Sequence, residues 1–129
     1  MLRFVMPLLI ALAPALRADE PMPIPPPETT FMLIAIDGQP VTAPTTLAFQ
    51  GPDRVGGRAP CNSWFVQFVG PLPAFAIGPA GATRMACPAM NQEQAFFSAL
   101  AEMTTAALDG PSLTLSNPAG RQMAFLRVP

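Results

Sequence analysis

The run Thr83-Arg84-Met85-Ala86-Cys87-Pro88 divides the chain into unlike parts, and its cysteine has one intrachain partner to choose from, Cys61. Everything before the run reads as strands. After it come the one good helix and then more strands. A cross-link between these two cysteines would tie the helix entry to the strand region. Two cysteines in an exported chain most simply form one bridge. A loop of this size would stabilise the fold by roughly 2–4 kcal/mol through a restricted unfolded state. Two free thiols or an intermolecular bridge are the alternatives. A metal site is a weaker reading still, because the sequence holds no His and an ordinary zinc site would need scattered carboxylates.

Export is read from the N-terminus. Met1-Leu2-Arg3 is a short positive region, and Phe4 to Leu16 is apolar but broken by Pro7 and Pro14. Ala13, Ala15 and Ala18 supply small residues for a signal peptidase, with cleavage expected after Ala18 or, alternatively, Ala15. A membrane span needs about 20 apolar residues, and this run is shorter. No Cys stands near the cleavage site to carry a lipid. Residues 1–18 are therefore expected to be a signal peptide, and the remainder a periplasmic or secreted protein. Residues 19–30 contain Pro21, Pro23, Pro25, Pro26 and Pro27, which fix φ and remove donors. They read as an extended, polyproline-like spacer without a core of its own, or as a proline ligand for a partner domain. The folded domain is expected over 31–129, as a monomer.

Phe31 to Ile36 is the first strand, ended by Asp37-Gly38 and Pro40. Thr45 to Gln50 is the second, with Leu47 and Phe49 on one face. Arg54 to Arg58 is a short strand whose two glycines point to a bulge or tight bend. Phe65 to Val69 is apolar on both faces, which places it centrally in a sheet. Leu72 to Ile77 completes this part, with Phe75 and Ile77 on one side. Asn91 and Gln94 have capping-box spacing, and Phe96, Phe97, Leu100 and Met103 form a core stripe at helical period. Glu93 falls in the first turn, where the helix dipole favours negative charge. Thr104 to Leu108, the Leu113-x-Leu115 segment and Gln122 to Val128 are the closing strands, with a hairpin at 117–120. Asp37, Asp53 and Asp109 all sit at turn signals, where carboxylates bond the local backbone. Short loops imply antiparallel neighbours. The fold class is α+β: a curved antiparallel sheet of about eight strands, curled into a partial barrel, with one main helix. No internal repeat or second domain is visible.

These residues, taken together, resemble the META domain, the family of the heat-shock protein HslJ. The likeness runs from about Phe31 to Leu126. It rests on Asp37-Gly38, Leu47-x-Phe49, Arg54-Val55-x-Gly57 leading to Cys61-Asn62, and Thr83-Arg84-Met85-Ala86-Cys87-Pro88. Glu93-Gln94-Ala95-Phe96, Asp109-Gly110-x-x-Leu113-x-Leu115 and Phe125 complete it. The resemblance implies a small curved-sheet fold and pairing of the two cysteines. Members are often exported or lipid-anchored and are associated with stress and motility without an established activity. The family also has some structural likeness to secretion pilot proteins that hold lipid, an analogy of fold alone. This chain departs from the family pattern at Phe31 (usually Trp), at Pro60 (usually Gly) and near Ala106 and Ala107, where an aromatic is common. The last departure implies a thinner core or a more open pocket.

For function, the composition argues against several classes. Without Lys, and with five Arg against eight acidic residues after residue 18, the chain is poorly suited to nucleic acid or anionic membranes. Without His, Lys or Tyr it lacks the common acid–base and Schiff-base side chains, and Ser63 and Thr83 have no visible base. No cofactor or metal is expected. The first binding reading is a protein partner in the envelope; the second is an apolar ligand in the mouth of the curved sheet. Met32, Phe65, Phe68, Met85, Met90 and Met123 supply apolar surface for either, though core packing is the ordinary role of each. Three residues near the cysteines are binding candidates: Asn62, Trp64 and Arg84. For Arg84 the plain role is a salt bridge or bonds to loop carbonyls, and the functional one is an anchor for an anionic group. For Trp64 the plain role is packing on the bridge.

Overall fold

The computed structural model describes residues 21–129. The expected signal peptide, and Asp19 and Glu20 of the Pro-rich segment, lie outside the described residues. No helix among the described residues is long and apolar enough to cross a membrane.

The strands alternate buried and outward positions, as a sheet with one covered face requires, although several outward positions are apolar. Strand β1 (Thr30–Ile36) buries Phe31 and Leu33 and turns Met32 and Ile34 outward. Asp37 and Gly38 both take positive φ, the backbone a two-residue hairpin demands, and the chain returns as the short β2 (Gln39–Pro40). Next come β3 (Thr46–Phe49), β4 (Arg54–Arg58) and β5 (Ser63–Val69) as antiparallel neighbours. Two-residue strands β6 (Ala76–Ile77) and β7 (Gly81–Ala82) both pair with β5. After helix α1 (Met90–Ala101), β8 (Thr105–Asp109), β9 (Ser112–Ser116) and β10 (Gln122–Arg127) form a meander. The order across the sheet is β6-β5-β4-β3-β1-β10-β9-β8, so the first and last strands of the chain sit side by side in its middle.

The sheet curls until its two ends meet. Ala106 donates its N–H to the Pro73 carbonyl at 2.8 Å, and Phe75 donates to the Thr104 carbonyl at 2.9 Å. The result is a half-barrel whose interior holds Phe31, Leu33, Leu47, Phe49, Val66, Phe68, Leu113, Leu115, Met123 and Phe125. The helix closes the remaining side with Phe96, Ala99 and Leu100, all essentially inaccessible, and Met103 lies just past its end.

Several expectations are corrected. Strand β5 lies near one end of the sheet, and its second face is open: Phe65 and Val69 are 38% and 74% exposed, while Trp64, Val66 and Phe68 are buried. Apolar residues on both faces therefore do not make this strand central. The stretch from Leu72 to Ile77 is strand only at Ala76–Ile77, because Pro71 and Pro73 have no N–H to give a ladder. The helix begins at Met90 with Ala89 as its N-cap and no side-chain cap, so the Asn91–Gln94 capping box does not form. The Pro-rich segment is extended but not detached. Met22 packs on the core and donates its N–H to the Leu72 carbonyl at 3.1 Å, and Pro25 is buried. Pro23 to Pro26 share a shallow pocket with Phe31, Leu108 and Arg127. The segment thus lies as a strap along the fold instead of hanging free as a spacer.

Candidate functional site

The Thr83–Pro88 run is an exposed loop held at several of its residues. It enters through β7 against β5, and this pairing continues one residue further. Thr83 donates its N–H to the Ser63 carbonyl, and the Ser63 N–H donates to the Thr83 hydroxyl, both at 3.1 Å. It leaves through Cys87, whose carbonyl accepts the Met90 N–H at the helix start. Cys61 and Cys87 are bridged, with their Cα atoms 5.5 Å apart. The pairing expected for the two cysteines is thus the one observed.

Asn62 is the centre of the arrangement. Its side chain is buried, and its amide uses both donors and both acceptor positions. Nδ2 donates to the Met85 carbonyl at 2.9 Å and to Glu93 Oε2 at 2.7 Å. Oδ1 accepts the Met85 N–H at 2.6 Å and the Thr83 hydroxyl at 2.9 Å. One side chain therefore grips both backbone groups of Met85 as a neighbouring strand would. Glu93 completes the clasp from the helix. It is 3% exposed; its Oε1 accepts the N–H groups of Cys61 and Asn62, each at 3.0 Å. Three N–H donors thus satisfy a buried carboxylate, the condition under which burying one is tolerable.

Glu93 is the residue that sequence reasoning assigned too little. Its position in the first turn accounts for a dipole contact, but its bonds run to the turn at Cys61-Asn62. The signal was present: 93, 96, 97 and 100 share one helical face, so this acid lies in the apolar stripe.

The other candidates are separated by the fold. Arg84 is exposed, with neither a hydrogen bond nor an ion pair among the described residues, so its expected plain role has no counterpart here. Met85 beside it is 66% exposed. Trp64 is 3% exposed and packs on the helix, its ring 5.2 Å from Phe96 and 6.3 Å from Phe97. Its indole N–H donates to the Thr46 carbonyl at 3.2 Å. Phe68 and Met123 are core and Met90 is half-buried, whereas Met32, Phe65 and Met85 are exposed.

Two further features frame the site. Inside the barrel, next to the seam, Leu47, Phe68, Leu72, Phe75, Ala106 and Leu115 border a wholly apolar cavity of about 30 Å³. Ala106, where the family pattern has an aromatic nearby, is one of its walls. Elsewhere, the Asp37 turn does more than bond itself. Asp37 accepts the Gln122 N–H at 2.9 Å and pairs with Arg121 at 2.9 Å, and Arg121 also pairs with Glu102. The Gln122 N–H, then Arg121, hold the Asp37 carboxyl below its ordinary value, and the two carboxylates hold Arg121 above its own.

Among solved structures, the chain is similar to a protein from Burkholderia xenovorans determined by NMR. That match has 25% identity and a TM-score of 0.61, and covers 92% of this chain and 99% of the other. A second NMR structure has a TM-score of 0.59 at 22% identity, covering 78% of this chain and 90% of its own, and supports the fold alone. No curated protein matches the chain. The META domain family matches residues 25–129, nearly all of the described chain and all of its sheet, helix, bridge and clasped loop. The chain belongs to the META domain family.

Proposed function

We propose that this chain is a non-catalytic, exported envelope domain that engages a protein partner through the clasped loop Thr83–Ala86. The observation that carries this reading is Arg84 and Met85 standing exposed on a loop whose backbone is fixed by a disulfide, Asn62 and Glu93. A loop ordered during folding loses little further entropy when it binds, so its exposed side chains contribute more of their contact energy. Methionine beside arginine offers an adaptable apolar contact and a planar fork for carboxylates. The alternative, an apolar ligand in the barrel mouth, has less support. The cavity there is about 30 Å³, room for about one water, whereas small-molecule sites run to about 300–1,000 Å³.

A photo-crosslinking residue placed at Met85, in chain produced in its native envelope, tests the reading. A defined heteromeric adduct that disappears when the crosslinker is moved to Pro118 is expected. Absence of an adduct, or adducts equally frequent at both positions, would sink it. The mass of the recovered chain checks export in the same experiment. Loss of residues 1–18 and of two hydrogens is expected, and a full-length reduced chain would refute export. A small-molecule adduct in the native mass, released on denaturation, would favour the ligand carrier.

A further inference from the structure

The Pro-rich strap is held along one side and shows the rest of itself to solvent. Residues 21–27 include Pro21, Pro23, Pro25, Pro26 and Pro27. Each proline fixes its own φ, and each residue that precedes one is kept out of the helical region. Met22, Ile24, Pro25 and Pro26 all precede a proline, so the segment is left with a β-strand or a polyproline II helix. Burial decides between the two. Met22 packs on the core and Pro25 is buried, whereas Pro21, Pro23, Ile24 and Pro26 are exposed. A strand would turn Met22 and Ile24 to the same face. Polyproline II has three residues per turn and turns Met22 and Pro25 the same way. One ridge of this helix therefore lies on the fold. Pro23 and Pro26, also three apart, form a second ridge that faces outward.

The outward ridge is fixed before anything meets it. The Met22 N–H donates to the Leu72 carbonyl at 3.1 Å, and the Thr29 N–H donates to the Pro26 carbonyl at 2.9 Å, closing a turn that ends the segment. Beside the ridge, Pro23 and Pro26 border a shallow hollow of about 200 Å³ together with Leu108 and Arg127. The backbone of the segment is chemically one-sided. Among residues 21–27 only Met22 and Ile24 carry an N–H, and that of Met22 is already used. The carbonyls of residues 22–25 accept no hydrogen bond among the described residues.

We infer that the strap is a docking ligand, and that its ridge of Pro23 and Pro26 enters an aromatic-lined groove on a partner protein. The inference does not depend on the clasped loop and adds a second, separate contact. The chemistry of the segment selects the occupant. A row of carbonyls with one free N–H cannot complete a strand ladder, which needs a donor and an acceptor at every second residue. It suits a surface that donates. Trp and Tyr donate from the edge of a ring whose apolar body packs on proline. Proline segments in this helical form are recognised by grooves of that kind. Because folding has already ordered the strap, docking costs it little further entropy.

The test places a benzophenone photo-crosslinking residue at Ile24, on the adjoining exposed ridge, in the full chain produced in its native envelope. Expected is a defined heteromeric adduct, reduced at least tenfold by Pro23→Ala with Pro26→Ala and unchanged by Pro118→Ala. Sequencing the adduct locates the attachment in the partner, and Ala in place of the Trp and Tyr residues around that point should abolish it. Both strap prolines are exposed, and Pro26→Ala keeps the carbonyl that Thr29 needs. An unchanged thermal melt will show that the double variant folds; should it not, each single variant is expected to reduce the adduct at least threefold. Absence of an adduct, indifference to the proline substitutions, or indifference to loss of the partner's aromatic residues overturns the inference. So does an adduct formed only between two copies of this chain. The Met85 crosslinker reports the loop and the Ile24 crosslinker the strap, so either reading can fail while the other stands.

Discussion

A single carboxylate, that of Glu93, joins the helix to the turn that carries the disulfide. Replacing it with Gln keeps an acceptor for the N–H groups of Cys61 and Asn62 but turns an amide N–H₂ toward Asn62 Nδ2, which is itself a donor. Two donors then face each other in a buried site. Glu93→Gln is expected to cost about 1–3 kcal/mol, read as a lower urea midpoint with an unchanged slope. An unchanged midpoint would mean that the clasp does not depend on the carboxylate. Asp37 gives a second residue-scale outcome, in pH. Its folded-state carboxyl titrates below its ordinary value of 3.8, so ionised Asp37 favours the folded chain above pH 3.8. That contribution is lost as pH falls from 3.8 through the lower folded value. Asp37→Asn should therefore flatten the dependence of Tm on pH below about pH 4, in the range where carboxylates titrate. A parallel acid limb in the variant would refute the assignment. At this scale the sequence was only half readable. Asn62 and Cys61 stand together in it and mark the site, but nothing local reveals that Asn62 meets Met85 and Glu93, since those partners come from segments 23 and 31 residues away.

Among the elements, strands were readable, and their place in the sheet was not. Phe31–Ile36 is a short apolar run bounded by a turn, Thr45–Gln50 places Leu47 and Phe49 on one face, and Gln122–Val128 places Met123 and Phe125 on one face; all three are strands within a residue or two. β5 has apolar residues on both faces, yet one face is open, because the helix covers only the concave side. The exposed Phe65 instead serves as a platform for Arg54. The two glycines of β4 suggest a bulge or tight bend in the sequence, but the register with β5 runs unbroken from Arg54 to Arg58, and they mark close approaches instead. At Gly57 an added Cβ would collide with the Thr46 carbonyl on β3, so Gly57→Ala must push β3 and β4 apart. A loss of about 1–3 kcal/mol is expected, the scale of overpacking, together with faster amide exchange at Ala48 and Gly56. Unchanged protection at those amides would show that the strands can shift at no cost. The strap was hidden for a simpler reason. Proline content identifies an extended chain, but the contacts of Met22 and Pro25 depend on where distant parts of the sheet come to lie.

At the scale of the molecule, the bridge and the clasp secure the same loop by different means. The disulfide acts on the unfolded chain, closing a loop across 26 residues, and its removal by Cys61→Ser with Cys87→Ser should cost about 3 kcal/mol. The clasp acts on the folded state, so the loop amide of Met85 should stay protected from exchange in that variant while the whole domain unfolds at lower urea. Free exchange at Met85 in a folded variant would show that the bridge alone orders the loop. The half-barrel with one helix was readable from the count and order of strands and short loops. Its seam was not, because Ala74 and Thr105 give no local sign that they meet. The pairing of β1 with β10 has a consequence in time. Phe31 lies opposite Arg127, so the middle of the sheet joins residues from the two ends of the domain. Loop closure on that scale is slow, and neither flank of the sheet is complete without it. The chain must therefore be released almost whole before its sheet can assemble. Ending the chain just after Gly120 would remove a central strand rather than an edge, and would leave the two flanks of the sheet joined only at the seam by Ala74 and Thr105 and through the helix.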